Sequence, residues 1–143
     1  MFFWKKKPKN LHLVPHREEC NKMASKALAA SGVHFDSASK LEQALLGTFI
    51  FGMIQTHGMA SQLSAPEVHA LGLCVFRDTL HYTEKAAAQG VQECIKATDR
   101  SYHPTMNAIL HRGIDGHLQY LNRNEIGLSE NIREILVQFK TKG

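Results

Sequence analysis

Nine histidines, three cysteines and 13 carboxylates are the groups from which this chain could build an active site or a metal centre. Metal centres on helices place their ligands three or four residues apart, as in HExxH or ExxH. Neither pattern occurs. His12 and His16 have the spacing, but Pro15 lies between them in a stretch read as non-helical. His16 and Cys20 can share a helix face, with no second pair to complete a ligand set. Cys20, Cys74 and Cys94 are odd in number and far apart, without a C-x-x-C pair, so neither a zinc knuckle nor a redox motif is expected. They read as small buried thiols in a reducing compartment. There is no GxSxG elbow, no GxxxxGKS/T phosphate loop and no GxGxxG turn. No two carboxylates are paired in an apolar setting, as glycosidase-type chemistry requires. The expectation is a chain with no catalytic residue, no cofactor and no metal.

One stretch gathers polar groups at a useful spacing: Ile109-Leu-His-Arg-Gly-Ile-Asp-Gly-His117. On an unbroken helix His111 and Asp115 stand four apart, on the side opposite the apolar stripe, and so should meet solvent. Arg112, Gln119 and Arg123 flank them. Three readings stay open. The first is structural: a local His111–Asp115 ion pair, or a helix broken at Gly113. The second is a partner-recognition patch made of His111, Arg112, Asp115, Gln119 and Arg123. The third is a His–Asp catalytic or ligand-binding pair, which an acidic neighbour makes a poor base by raising the imidazole pKa. Gly113 and Gly116 would let another backbone approach closely.

The elements that position these residues are helices throughout. A first helix is expected over 15–31, with Met23, Ala27 and Ala30 at helical spacing and Gly32 as its stop. A second begins at Ser37 or Ser39, since Ser39 with Glu42 forms a capping box. It carries Leu41, Leu45, Phe49 and Met53, is apolar nearly all round, and should be the central buried helix, ending at Gly58. Gly47 and Gly52 within it suggest close helix packing. Ser64-Ala-Pro-Glu67 opens a third helix, running to about Leu80 or on to Tyr82. A fourth covers 83–98, with Gly90 as a possible kink or division. A fifth covers 104–122, with Met106, Ile109, Leu110, Gly113, His117 and Leu121 on its inner side. Ser129 is expected to cap the last, whose inner face is Ile132, Ile135, Leu136 and Phe139. No strand and no helical repeat stands out. The fold class is all-α: a single compact domain of five to six amphipathic helices over 16–143, preceded by an extended basic leader over 1–15.

Length and charge narrow the function classes. The 143 residues, 43% of them apolar, suffice for one core without metal or disulfides. Lys5, Lys6, Lys7 and Lys9 account for the whole net charge of +4. The remaining body is neutral, unlike the basic face of a nucleic-acid binder. Phe2, Phe3 and Trp4 precede those lysines, an order opposite to that of a signal peptide, and could touch a membrane surface. No run of apolar residues is long enough for a transmembrane segment.

Gly47-Thr-Phe-Ile-Phe-Gly-Met53, Leu63-Ser-Ala-Pro-Glu-Val68, and Tyr102-His-Pro followed by His111-Arg-Gly-Ile-Asp-Gly116 resemble the small helical immunity proteins of bacterial polymorphic-toxin and type VI secretion systems. The resemblance spans about residues 40–120. It implies a cytoplasmic protein that binds a cognate toxin and occludes its active site. The alternatives are a regulatory or adaptor domain for another protein, an enzyme working through His111 and Asp115, or a lipid or nucleic-acid binder acting through the leader. Two expectations follow. Charge reversal at Arg112 and Asp115 should weaken partner binding without unfolding the domain. Deleting residues 1–9 should abolish any liposome or DNA binding at low salt; retained binding in a sedimentation assay moves that activity onto the fold.

Overall fold

Side-chain caps set where most of the helices begin. Ser39 accepts from the Glu42 backbone N–H at 3.1 Å while the Ser39 N–H donates to the Glu42 carboxylate at 3.2 Å. Ser64 and Glu67 repeat the arrangement at 3.3 and 2.7 Å. Such reciprocal caps satisfy two backbone donors that the first helical turn leaves free. Thr83 Oγ1 accepts from Ala86 N–H, and His103 Nδ1 from Met106 N–H, each at 3.1 Å.

The computed structural model describes residues 11–140. Six α-helices run in order: α1 (Val14–Ser31), α2 (Lys40–Ala60), α3 (Ala65–Asp78), α4 (Glu84–Lys96), α5 (Pro104–Leu121) and α6 (Glu125–Lys140). Single 3₁₀ turns occupy Leu11–Leu13 and Phe35–Ser37, and there is no strand among the described residues. None of these helices is long and apolar enough to cross a membrane.

Several boundaries differ from expectation. The described residues are helical from Leu11, inside the stretch read as leader, with Leu13 buried and Pro15 in the first turn of α1, where its missing N–H costs nothing. His12 reaches Glu67 of α3 and ties this start to the body. Phe2, Phe3, Trp4 and the lysine run lie outside the described residues. Helix α2 continues past Gly58, which is buried against Val68 of α3. Helix α3 stops at Asp78, two residues before Leu80, and His81 turns the chain at φ 62°. Asp78 is held by Arg17 at 2.9 Å and Asn21 at 3.1 Å, so the end of α3 is tied to α1. Helix α4 runs unbroken through Gly90. Ser129 is no cap: α6 starts at Glu125, where the Asn124 carboxamide oxygen accepts from Gly127 N–H at 2.9 Å. Ser129 instead donates to the Ala30 carbonyl of α1 at 3.0 Å.

Helix α2 is the core. Every residue from 45 to 54 is buried, on all sides of the helix. The large side chains there, Leu46, Phe49, Ile50, Phe51, Met53 and Ile54, each contribute about 1.5–3 kcal/mol by leaving water. The other helices wrap this one. Burial also accounts for two cysteines: Cys20 and Cys94 are enclosed, which pushes both thiols up to about 12, while Cys74 is half-buried. Among the described residues no buried side-chain nitrogen or oxygen lacks a partner.

The closest approach in the core is between α2 and α5. A Cβ placed on Gly113 would lie 2.7 Å from the Gly52 carbonyl carbon, and one on Gly52 would overlap the Leu110 carbonyl oxygen. The two backbones touch because neither residue has a side chain. Helix α5 is continuous through Gly113, which settles the alternative of a break there. Gly113→Ala should therefore lower stability by about 1–3 kcal/mol through overpacking. Gly47→Ala is the control: its Cβ would meet Phe76 at an ordinary 3.5 Å, and the gain in helix propensity should leave stability unchanged or raised by up to ~1 kcal/mol. Urea denaturation of both variants checks the contrast; equal effects would contradict it.

Candidate partner-binding face

With Gly113 and Gly116 pressed against α2, the opposite arc of α5 must face outward. At 100° per residue that arc carries His111, Ile114, Asp115 and Leu118, and Leu121 closes it at the helix end. His111 and Asp115 are exposed, in agreement with the helix-face argument. They do not pair: His111 Nδ1 is bonded to the Asn107 carbonyl of its own helix at 2.8 Å. The local ion pair expected from the four-residue spacing is absent because the nearer backbone carbonyl takes the imidazole. A catalytic His–Asp couple is not formed either.

Arg112 and Gln119 turn toward α6. Arg112 donates to Asn131 Oδ1 at 2.7 Å, to the Asn131 carbonyl at 3.2 Å and to Glu134 at 2.7 Å. Asn131, itself buried, donates back to the Arg112 carbonyl and to Gln119 Oε1, both at 3.2 Å. These two members of the predicted patch form a polar seam that fastens α5 to α6. Arg123 is exposed at the turn between those helices, with φ 56°. It lines an open groove of about 1130 Å³ together with Lys22, Lys26, Gln119, Leu121 and Ile126. The five predicted residues thus divide into His111, Asp115 and Arg123 at the surface, and Arg112 and Gln119 in the seam.

The sequence reading did not select the apolar members of this face. Ile114 is 50% exposed, and Leu118 and Leu121 are each 56% exposed. Their spacing of four and three marks one helical stripe. Leu121 was assigned to the core side; it is the last residue of α5 and lies 40° round from His117 toward the outward arc. Exposed apolar side chains occur singly on any surface, whereas three in register on one helix form a contiguous strip of the kind that marks a contact site.

A second cluster that the spacing could not disclose lies on the inner side of α5. His117 is buried beside His57 of α2, which contacts His16 of α1. Tyr120 OH donates to Glu19 of α1 at 2.8 Å, and burial with that contact pushes the phenol up to about 12. Among the described residues no three His, Cys, Asp or Glu side chains are placed to hold a metal ion.

The profile of the family described as Immunity protein 48 matches residues 16–140. The chain belongs to that family. The match takes in all six helices, from the first turn of α1 to the end of α6, and therefore the glycine contact and both faces of α5. No curated protein and no solved structure gives a significant match. As an immunity protein of a toxin system, this member presents an apolar strip edged by His111 and Asp115 on its surface.

The two charged residues proposed for joint reversal are unequal in this fold. Arg112→Glu should lower stability by about 1–3 kcal/mol, because it leaves buried Asn131 without its donor. Asp115→Arg should change stability by less than about 0.5 kcal/mol, as expected of a surface substitution. Thermal denaturation of the single variants separates them; comparable losses would remove Arg112 from its assigned role.

Proposed function

We propose that this immunity protein binds a cognate bacterial toxin in the cytoplasm and neutralises it by occluding its active site, using the outward face of α5. The observation that carries the reading is the strip of Ile114, Leu118 and Leu121, left half in water on a helix whose other sides are fully engaged. Helix α5 has 18 residues and so extends about 27 Å, long enough to form one side of a standard-sized interface. Apolar anchors supply affinity in such an interface, and flanking polar groups such as His111, Asp115 and Arg123 supply register. The family membership supports a toxin as the partner. The toxin would be of the polymorphic or type VI secreted kind, encoded beside this gene. The protein would act by binding alone, without catalysis.

Co-expression with the product of the adjacent toxin gene should yield a stable complex and rescue growth. Leu118→Glu combined with Ile114→Glu should weaken binding by 100-fold or more, equivalent to roughly 3 kcal/mol, while the melting temperature of the free protein stays within a few degrees. Undiminished affinity in a folded double variant would move the docking site off α5. Absence of any complex with the wild-type chain would overturn the neutralisation reading itself.

A further inference from the structure

Three imidazoles from three helices meet where α1 crosses α2 and α5. His16 Nδ1 and His57 Nε2 are 2.9 Å apart, with ring centroids at 5.1 Å. His57 and His117 stand edge to face, with centroids 6.1 Å apart. His117 is 6% exposed. Two ring nitrogens at hydrogen-bond distance share one proton, one ring donating N–H and the other accepting. If both rings of the His16–His57 pair carry their full complement of protons, two N–H donors oppose each other and the contact becomes repulsive.

We infer that the His16–His57–His117 cluster is an acid-sensitive latch, closed while its imidazoles are neutral and opened by proton uptake, which frees α1 from α2 and α5. The contacts lie between helices distant in sequence, so the latch holds tertiary packing and leaves each helix intact. The titratable groups around it come from each of the packed elements: His16, Glu19 and Cys20 on α1, His57 on α2, and His117 and Tyr120 on α5. Cys74 of α3 acts on Cys20. Glu19 is the one carboxylate that favours the charged imidazoles, and its oxygen is already engaged by Tyr120. Burial lowers the pKa of His57 and His117 below the ordinary 6.5, with His16 and His117 adding to the effect on His57. The unfolded chain therefore binds more protons than the folded one just below pH 6.5. The stability contributed by neutral imidazoles is complete above that value and is lost as pH falls from 6.5 toward the lowered folded-state values.

The test uses the 143-residue chain without partner, so its result stands apart from the toxin-binding reading. Folding constants from urea titrations at pH 7.5 and 5.5 should fall further for the wild type than for His57→Gln or His117→Gln, by up to about tenfold, since one linked proton is worth at most tenfold over the single pH unit between 6.5 and 5.5. An equal fall in all three overturns the latch. Should the variants fail to fold, the wild type alone decides. Imidazole ¹⁵N titrations should show His57 and His117 protonating below pH 6.5, together with lower amide protection factors in α1 at pH 5.5 than at pH 7.5. Titration at 6.5 or above, or unchanged protection of α1, overturns it as well.

Discussion

The arrangement of this domain depends on one steric fact: the backbones of α2 and α5 touch at Gly52 and Gly113. Glycine inside a helix costs up to ~1 kcal/mol relative to alanine, so α5 carries a penalty at Gly113 and another at Gly116. The return is proximity. Dispersion attraction falls off steeply with separation, and a crossing without side chains brings many atoms of both helices into contact. Gly116 meets the Phe49 ring in the same way, which gives one of the two phenylalanines of α2 a flat surface to pack on. The contact also fixes the rotation of α5 about its own axis. Once Gly113 must face Gly52, the side of the helix that carries Ile114, Asp115 and Leu118 has no choice but to face away.

Polar seams secure that rotation from both flanks. On one side Arg112, Asn131, Gln119 and Glu134 join α5 to α6; on the other Tyr120 and His117 meet Glu19 and His57. Directional hydrogen bonds discriminate between registers in a way that apolar packing alone does not, because a shifted helix would leave Asn131 or Tyr120 unsatisfied. Apolar contact supplies the bulk of the stabilisation and the polar seams select one arrangement of it. Helix α5 is consequently held on three sides and open on one.

Local chemistry was readable in the sequence and long-range pairing was not. The capping boxes at Ser39 and Ser64, the Pro104 helix start and the all-round apolarity of α2 are properties of neighbouring residues, and each has its expected structural outcome. Ser129 is not the cap of α6, because Asn124, five residues earlier, accepts from the Gly127 N–H and starts the helix at Glu125. The outward placement of His111 and Asp115 followed from helical periodicity. The involvement of Arg112 with a residue 19 positions away did not, since long flexible side chains choose partners by tertiary proximity. The three-histidine cluster joins residues separated by 41 and 60 positions, and no spacing rule connects them.

What the groups with catalytic potential are doing bears on function more than their number does. His111 bonds a helix carbonyl, His103 caps α5, His16 and His57 bond each other, and the thiols of Cys20 and Cys94 are held protonated by burial. A catalytic group must retain a free lone pair or proton directed at a substrate. The ring nitrogens and thiols named here are engaged by the fold itself. The outward arc of α5 is the reverse case: Ile114, Leu118 and Leu121 keep apolar surface in water that the fold has not used. A helix that turns His117 inward and Ile114, Leu118 and Leu121 outward links two properties. The proton balance of the core and the shape of the exposed strip are set by the same rigid element, so a change that reorients α5 must alter both together.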